Sequence, residues 1–206
     1  MKELIARRAA KLLRPGSVVN LGIGIPTLVS RFVPRGSVIL HSENGFLGVG
    51  APPAPDQIDP NLIDAGKQPV TELPGAVYSD SADSFAMIRG GHIDIAVLGA
   101  LQADEQGRIA NWSIPGEPVL GVGGAMDLIS GAREVIVVMS HTTKDGAPKL
   151  VRTCTLPLTS LRPATWIVTE LATFRVDAGQ LRLIELADGV GLDDVVAKTD
   201  ARFVHR

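Results

Sequence analysis

Glu43 is the residue of this sequence whose surroundings most favour chemistry. It follows an apolar stretch, residues 38–41, that is typical of a β-strand, and it precedes Asn44 and Gly45. Two further glycine-rich segments, residues 20–26 and 121–127, are also expected where strands run into loops. In open α/β sheets ligands bind at the carboxyl ends of the strands, so these three loops are the candidate site. On the residues alone, Glu43 fits a turn or capping carboxylate better than a catalytic one.

The glycine-rich loops do not match the common nucleotide-binding patterns. None contains Gly-Lys followed by Ser or Thr, and the nearest G-x-G-x-x-G match places Thr27 where the last glycine belongs. Glycine allows a positive φ and a close approach of the backbone, which any tight turn also requires. Backbone amides in such loops are suited to hold a developing oxyanion.

Composition and charge exclude several other classes of function. The single cysteine, Cys154, precludes an intrachain disulfide, and we expect it to be a packing residue. The four histidines are scattered without the spacing of metal ligands, so no metal is expected. A net charge of −2 indicates neither nucleic acid nor an anionic membrane as partner. The first residues lack the apolar core of a signal peptide and no apolar run could span a bilayer, so we expect a cytoplasmic protein.

Periodicity predicts an α/β fold, with a mainly parallel sheet flanked by helices, in one domain over residues 1–206. The predicted helices cover residues 2–13, a short segment from 26, 79–89, 124–129 and 192–198. The predicted strands cover residues 17–21, 38–41, 93–98, 135–139 and 166–168, with a hairpin over 174–176 and 181–184. The segment 42–62 is rich in Gly and Pro, which indicates a long functional loop.

The Ser42-Glu43-Asn44-Gly45 stretch resembles the glutamate loop of the family I coenzyme A transferases, specifically their B subunit. Members include the succinyl-CoA:3-oxoacid and 3-oxoadipate CoA-transferases. The resemblance extends in order and spacing to about residue 198. It is carried by NLGIGIPTLV (20–29), DAGK (64–67), LPGA (73–76), SFAMIRGGHID (84–94), LGALQ (98–102), ANW (110–112), GGAMDL (123–128) and CTLPLT (154–159).

This resemblance implies a ping-pong transfer through Glu43. The carboxylate attacks an acyl-CoA and forms an acyl–glutamyl anhydride, and the released CoA thiolate then forms a glutamyl-CoA thioester. A second carboxylic acid reverses these steps and leaves as its CoA ester. A carboxylate is already ionised near neutral pH, so this nucleophile needs no general base. CoA and acyl-CoA are substrates, and no permanently bound cofactor is expected.

The resemblance also implies roles for the loops and a partner. The Gly123-Gly124 turn is the first candidate for an oxyanion donor, and the loop with Asn20, Gly22 and Gly24 is the second. Asn44 and Gly45, next to the glutamate, join the three residues of that loop as candidate contacts for CoA or the acid. The chain matches only the B half of the family's pair of subunits, so we expect its partner to be an A subunit, in a heterodimer or heterotetramer.

The sequence leaves the acid open and departs from the family pattern in places. Glu117 stands where many members have lysine, and His41 where glutamine is more usual. The leading acceptors are acetoacetate and 3-oxoadipate with succinyl-CoA as donor, and short acids such as acetate or butyrate are alternatives. Two rival interpretations are a sugar-phosphate isomerase or deaminase of similar fold and a non-catalytic subunit. Arg89 fits a cation at a helix end better than a substrate ligand, and His41 fits a hydrogen-bonded histidine better than a proton shuttle.

Overall fold

A computed structural model describes residues 1–119 and 121–205 of the chain. Its helices are α1 (Lys2–Ala10), α2 (Ile25–Leu28), α3 (Ser81–Arg89), α4 (Ala125–Gly131) and α5 (Leu192–Ala197). Its strands are β1 (Val18–Leu21), β2 (Ile39–Ser42), β3 (Phe46–Val49), β4 (Glu72–Tyr78), β5 (Ile95–Gly99), β6 (Gln102–Asp104), β7 (Ile109–Ala110), β8 (Glu134–Val138), β9 (Leu150–Val151), β10 (Trp166–Val168), β11 (Ala172–Asp177), β12 (Gln180–Leu186) and β13 (Phe203–Val204).

Ten of these strands form one mixed sheet in the order β13-β12-β11-β10-β8-β5-β1-β2-β3-β4. The five central strands, from β10 to β2, are all parallel. Antiparallel strands extend the sheet on both sides, β3 and β4 at one end and β11 and β12 at the other. The predicted α/β class with a mainly parallel centre is therefore confirmed. Parallel strands place their carboxyl ends at the same edge, where ligands bind in open sheets.

The central strands are buried on both faces, which explains their nearly continuous apolar sequences. In β5, Ile95 and Val97 point to a core layer that includes Ile5 and other residues of α1. Ala96 and Leu98 point to the opposite layer, which contains residues of α3 and α4. Because side chains alternate along a strand, one apolar run supplies both layers and fixes the helices on both faces of the sheet.

Several strands were not predicted from the sequence. The segment 42–62, predicted as a loop, contains β3, which pairs with β2 as a hairpin. The edge strand β4 was not predicted either, because Pro74 and Gly75 interrupt its pattern and most of its residues are exposed. Both errors come from reading Gly and Pro as loop formers, whereas here Gly48 has a φ of 90° within a strand, beside a register shift in the β3–β4 pairing.

A smaller three-stranded sheet, β7-β6-β9, packs beside the main one and was not predicted, since its strands have only two or three residues. The longest helices, α1 and α3, have nine residues each. Within the described residues, no helix has the length and apolar character that a membrane crossing requires.

Candidate active site

Glu43 lies on the tight turn that joins β2 to β3, at the carboxyl edge of the parallel sheet. The turn is closed by a hydrogen bond from the Gly45 amide to the Ser42 carbonyl, at 3.0 Å. Gly45 has a φ of 112°, and a Cβ there would lie 2.0 Å from the carbonyl oxygen of Ser79. Only glycine satisfies both conditions, so Gly45 fixes the shape of the turn that presents Glu43.

Asn20 and His41 stand beside Glu43 because of strand register. Asn20 of β1 pairs with His41 of β2 in the parallel ladder, and Glu43 lies two residues beyond His41. The Asn20 amide nitrogen, Nδ2, donates to Oε2 of Glu43 at 3.0 Å. The Asn20 side chain is fully buried, so this contact holds the carboxylate from the protein side.

A second segment is tied to the same turn. Ser42 Oγ accepts a hydrogen bond from the Ala65 amide at 2.8 Å, and Asn44 Nδ2 donates to the Ile63 carbonyl at 2.9 Å. These two contacts fasten the loop that carries the DAGK sequence to the glutamate turn.

Glu43 opens into a cavity of about 390 Å³. Its walls come from the three loops singled out in the sequence and from the end of β5. They consist of Gly22, Ile23, Glu43, Leu98, Gly99, Ala100, Leu101, Asn111, Gly121, Val122, Gly123, Gly124, Ala125 and Leu128. Glu43 is the one ionisable side chain among these described residues, and the other walls are mostly apolar side chains and glycine backbone.

Gly124 lies directly against the glutamate. A Cβ added to Gly124 would come 3.3 Å from Cγ of Glu43 and 3.3 Å from the ring of Phe85. Gly124 is also the residue immediately before α4, and Gly123 has a φ of 54°. The tertiary structure thus brings the predicted Gly123-Gly124 turn to Glu43, and Gly22 lines the same cavity from the end of β1.

Four of the five candidate contact residues lie outside the cavity wall, and only Gly22 belongs to it. Asn20 is fully buried behind Glu43. Gly24, with a φ of 94°, is the residue before α2, Asn44 is exposed, and Gly45 is buried behind the turn. Their contact with CoA or acid stays a prediction. Sequence reasoning did not select Asn111, Leu98 or Val122 as site residues, although all three lie within sequence stretches that it had singled out.

The other polar candidates have structural partners. Arg89 Nε donates to Oδ1 of Asp127 at 2.7 Å, which joins α3 to α4. Cys154 is partly buried, and burial raises the pKa of its thiol to about 12, so it is a poor nucleophile. Among residues 1–119 and 121–205, no group of three or more His, Cys, Asp or Glu side chains is arranged to hold a metal ion.

Comparison with known proteins places these features in a family. Residues 2–198 match the family described as Coenzyme A transferase. The chain is 54% identical to the beta subunit of the acetate CoA-transferase of Escherichia coli K12, over 98% of this chain and 93% of that protein. It is 49% identical to the B subunit of the succinyl-CoA:3-ketoacid coenzyme A transferase of Helicobacter pylori 26695, over 98% of both chains. The crystal structure of the acyl-CoA transferase YdiF from Escherichia coli O157:H7 superposes with a TM-score of 0.79 at 25% identity; the match covers all of this chain and 42% of YdiF.

Proposed function

Because this chain belongs to the coenzyme A transferase family, we propose that it is the subunit that carries the catalytic glutamate, Glu43, and that it transfers CoA through a glutamyl-CoA thioester. One observation supports this most directly. The carboxylate of Glu43, held by Asn20, is the one ionisable group among the described residues lining a cavity whose other walls are mostly apolar or glycine backbone. A nucleophile that needs no base requires only orientation and protection from water.

The proposed steps balance without any further reagent. A carboxylate oxygen of Glu43 attacks the thioester carbonyl carbon, the C–S bond breaks, and CoA leaves as thiolate. The thiolate attacks the Glu43 carboxyl carbon, the anhydride C–O bond breaks, and the first acid leaves as carboxylate. The second acid repeats these steps in reverse order. No net proton, electron or phosphoryl group is exchanged.

Each tetrahedral intermediate carries negative charge on oxygen, and we assign its stabilisation to the backbone amides of Gly123 and Gly124. The position of Gly124 against the Glu43 side chain supports this assignment. Loss of one such donor typically costs about 10²–10³-fold in rate.

The partner in this proposal is an A subunit. The two relatives compared above are named as the beta and the B subunit of their enzymes. YdiF, by contrast, is more than twice as long as this chain, which covers 42% of it. We therefore propose a heterodimer or heterotetramer in which the A subunit completes the site for CoA and acid.

Intact-protein mass spectrometry of the assembled enzyme tests the proposal. Brief incubation with acetoacetyl-CoA or succinyl-CoA is expected to add the mass of CoA, and peptide mapping is expected to place the adduct on Glu43. Glu43→Gln preserves the size of the side chain and is expected to give no adduct. Acetyl-CoA is included as a third donor, and if none of the three modifies a correctly assembled enzyme, the non-catalytic interpretation of the chain is favoured instead.

The cavity also bears on the choice of acid. Acetoacetate and 3-oxoadipate differ by one carboxylate, and no cationic side chain belongs to the cavity wall within the described chain. Glu117, where many members have lysine, lies on the stretch leading to that wall. A carboxylate buried without a cation is strongly disfavoured, so this half of the site favours acids with a single carboxylate: acetoacetate, acetate or butyrate. The same argument applies to succinyl-CoA, whose acyl group carries a second carboxylate, so its use as donor requires a cation from the A subunit.

A panel of acceptors at fixed donor concentration separates these substrates. We expect kcat/KM for acetoacetate or a short monocarboxylate to exceed that for 3-oxoadipate by at least about tenfold, which corresponds to about 1.4 kcal/mol. A preference for 3-oxoadipate would show that a cation reaches the site from the A subunit. Acetyl-CoA and succinyl-CoA should be compared as donors in the same way.

A further inference from the structure

A buried chain of polar side chains continues behind Asn20, away from the cavity. His41 Nδ1 lies 3.2 Å from the Asn20 amide nitrogen, and His41 Nε2 lies 3.0 Å from Ser84 Oγ on α3. Asn20 and Ser84 are fully buried, and His41 is 3% exposed. The transfer chemistry uses neither His41 nor Ser84, yet His41 connects to Glu43 through Asn20, and Ser84 connects through His41 and Asn20.

The orientation of the Asn20 amide determines the direction of these hydrogen bonds. Its nitrogen faces three acceptors: Glu43 Oε2, the His41 carbonyl at 3.3 Å and His41 Nδ1. Rotating the amide by about 180° would place its oxygen against a carboxylate and a carbonyl oxygen, which is repulsive. The nitrogen therefore donates, His41 Nδ1 accepts, and the proton of the neutral ring lies on Nε2, which donates to Ser84.

This arrangement requires an uncharged imidazole, because a protonated Nδ1 could no longer accept from Asn20. Burial lowers the pKa of His41 to about 4, so the ring is neutral at neutral pH.

Asn20 has no other side-chain anchor in the described structure. Its Oδ1 is buried and makes no hydrogen bond to the described residues. The orientation of the amide is therefore determined by the hydrogen bonds of its nitrogen, which are made to His41 and to Glu43. When the Glu43 carboxylate becomes an anhydride or thioester it is a weaker acceptor, and His41 then holds the amide in place.

We propose that His41, oriented by Ser84, is a positioning residue that fixes the Asn20 amide and through it the attack geometry of Glu43. This inference rests on the proposed function of Glu43. Its physical basis is the β1–β2 register, which sets Asn20 beside His41, and the position of Glu43 two residues further along. Displacing reacting atoms by even about 1 Å can cost about 10²-fold in rate, so a side chain that does not touch substrate can control it.

The test measures single-turnover formation of the enzyme–CoA thioester in the complex assembled with the A subunit. His41→Leu removes both nitrogens at similar volume, and we expect the rate to fall about tenfold, the effect of losing one hydrogen bond in a charged network. His41→Gln can again accept from Asn20, and it is expected to return the rate to within about threefold of the original. Ser84→Ala is expected to reduce the rate by a few-fold, and the KM for the acid should change little.

A double-mutant cycle separates positioning from general stabilisation. If His41 acts through Asn20, His41→Leu in an Asn20→Ala background has no further effect on the rate.

His141 serves as the matched structural control, since it is also buried between two hydroxyl groups, Thr169 Oγ1 at 2.9 Å and Thr199 Oγ1 at 2.8 Å. His141→Leu should lower Tm and leave the rate of thioester formation unchanged.

Three outcomes would overturn the inference: an unchanged rate in His41→Leu, additive effects of the Asn20 and His41 substitutions, or an equal loss of rate in His141→Leu. If His41→Leu does not fold, Ser84→Ala and His41→Gln decide in its place. Crystal structures of the variants provide a readout independent of activity. If the wild-type enzyme forms no CoA adduct, the proposed function fails. If the wild-type enzyme does form the adduct but Asn20 and Glu43 keep their positions in the crystal structure of His41→Leu, only the positioning role of His41 is refuted.

Discussion

Gly124→Ala tests how closely the glycine loop confines the carboxylate of Glu43, the proposed nucleophile. Gly124 has a φ of −85° and a ψ of 2°, which an alanine adopts without backbone strain. The new methyl carbon would lie 3.3 Å from Cγ of Glu43 and 3.3 Å from Cζ of Phe85. The substitution keeps the backbone amide and changes only the space available to Glu43.

The expected magnitude follows from these distances. Carbon atoms pack best at about 3.5–4.0 Å, so Glu43 or Phe85 must move by a few tenths of an ångström. Since a displacement of about 1 Å can cost about 10²-fold, a shift of this size is expected to reduce the rate about five- to tenfold. The added methyl group should also lower the free energy of unfolding of Gly124→Ala by about 1 kcal/mol. This is the low end of the range for overpacking, because the cavity on one side of Glu43 leaves room for the side chain to move.

The matched control is Gly189→Ala, on the turn between β12 and α5. Gly189 has a φ of 77°, and nothing lies within 4 Å of the Cβ that would be added. Alanine there costs about 1–2 kcal/mol of backbone strain and meets no neighbour. The two substitutions are therefore expected to cost comparable stability. In a chain of this size a loss of about 1 kcal/mol lowers Tm by about 2–4 °C, so both variants should show Tm changes of this order.

Rapid-quench measurement of glutamyl-CoA formation, beside calorimetric Tm values, distinguishes the two effects. Gly124→Ala should lose rate with a small change in Tm, and Gly189→Ala should show a similar small change in Tm with an unchanged rate. Equal rates in Gly124→Ala and the wild type would refute the claim that Gly124 confines Glu43. An equal loss of rate in both variants would show that the assay reports stability instead.

Three further predictions concern stability and reactivity. Gly45→Ala should prevent folding, because the added Cβ would lie 2.0 Å from the Ser79 carbonyl oxygen at a φ of 112°; soluble, folded protein by circular dichroism would contradict this. The free energy of unfolding should fall as the pH drops from about 6.5 towards 4, because burial lowers the pKa of His41 and of His141 to about 4 and only the unfolded chain takes up those protons. Each histidine then contributes a slope of up to about 1.4 kcal/mol per pH unit, so urea titrations of His141→Gln should show a shallower dependence, and a slope equal to that of the wild type would refute the assignment. Cys154 should react slowly with iodoacetamide at about pH 8 in the native protein and rapidly after denaturation, because burial raises its pKa to about 12; fast native labelling, followed by mass spectrometry, would show a reactive thiol.

The central fold could be predicted from the sequence because its signals are local, whereas the catalytic role of Glu43 was inferred from a resemblance along nearly the whole chain and stays a prediction. The apolar runs of β5 and β8 are buried on both faces, and such runs are typical of the central strands of a parallel sheet. Asp80 caps α3 through a hydrogen bond from the Asp83 amide, 2.8 Å, and Gly90 follows its last residue, so the helix was predicted to within two residues at its start and none at its end. Glu43 was recognised from the sequence pattern that surrounds it along the chain.

The hairpin predicted over 174–176 and 181–184 is confirmed as β11 and β12, whereas the opposite side of the sheet, β3 and β4, was missed because its signals are not local. Strand β3 is short and contains Gly48, and β4 contains Pro74 and Gly75, so neither shows the alternation of a half-buried strand. These segments become strands because β2 offers a free edge to β3 and β3 to β4. Pairing over such distances depends on the assembled sheet and not on propensity.

The amino-acid sequence by itself determined that this chain has a parallel α/β core, that two of its three glycine loops follow strands directly, and that Glu43 is the carboxylate to test. Only the tertiary structure decided which residues surround that carboxylate. Asn20 meets Glu43 through the register of β1 on β2, Gly124 reaches it from 81 residues further along the chain, and Ser84 approaches His41 from α3. A sequence pattern records the residue types at each position, whereas the distances between side chains that are far apart in the chain arise when the strands pair and the helices pack on both faces of the sheet.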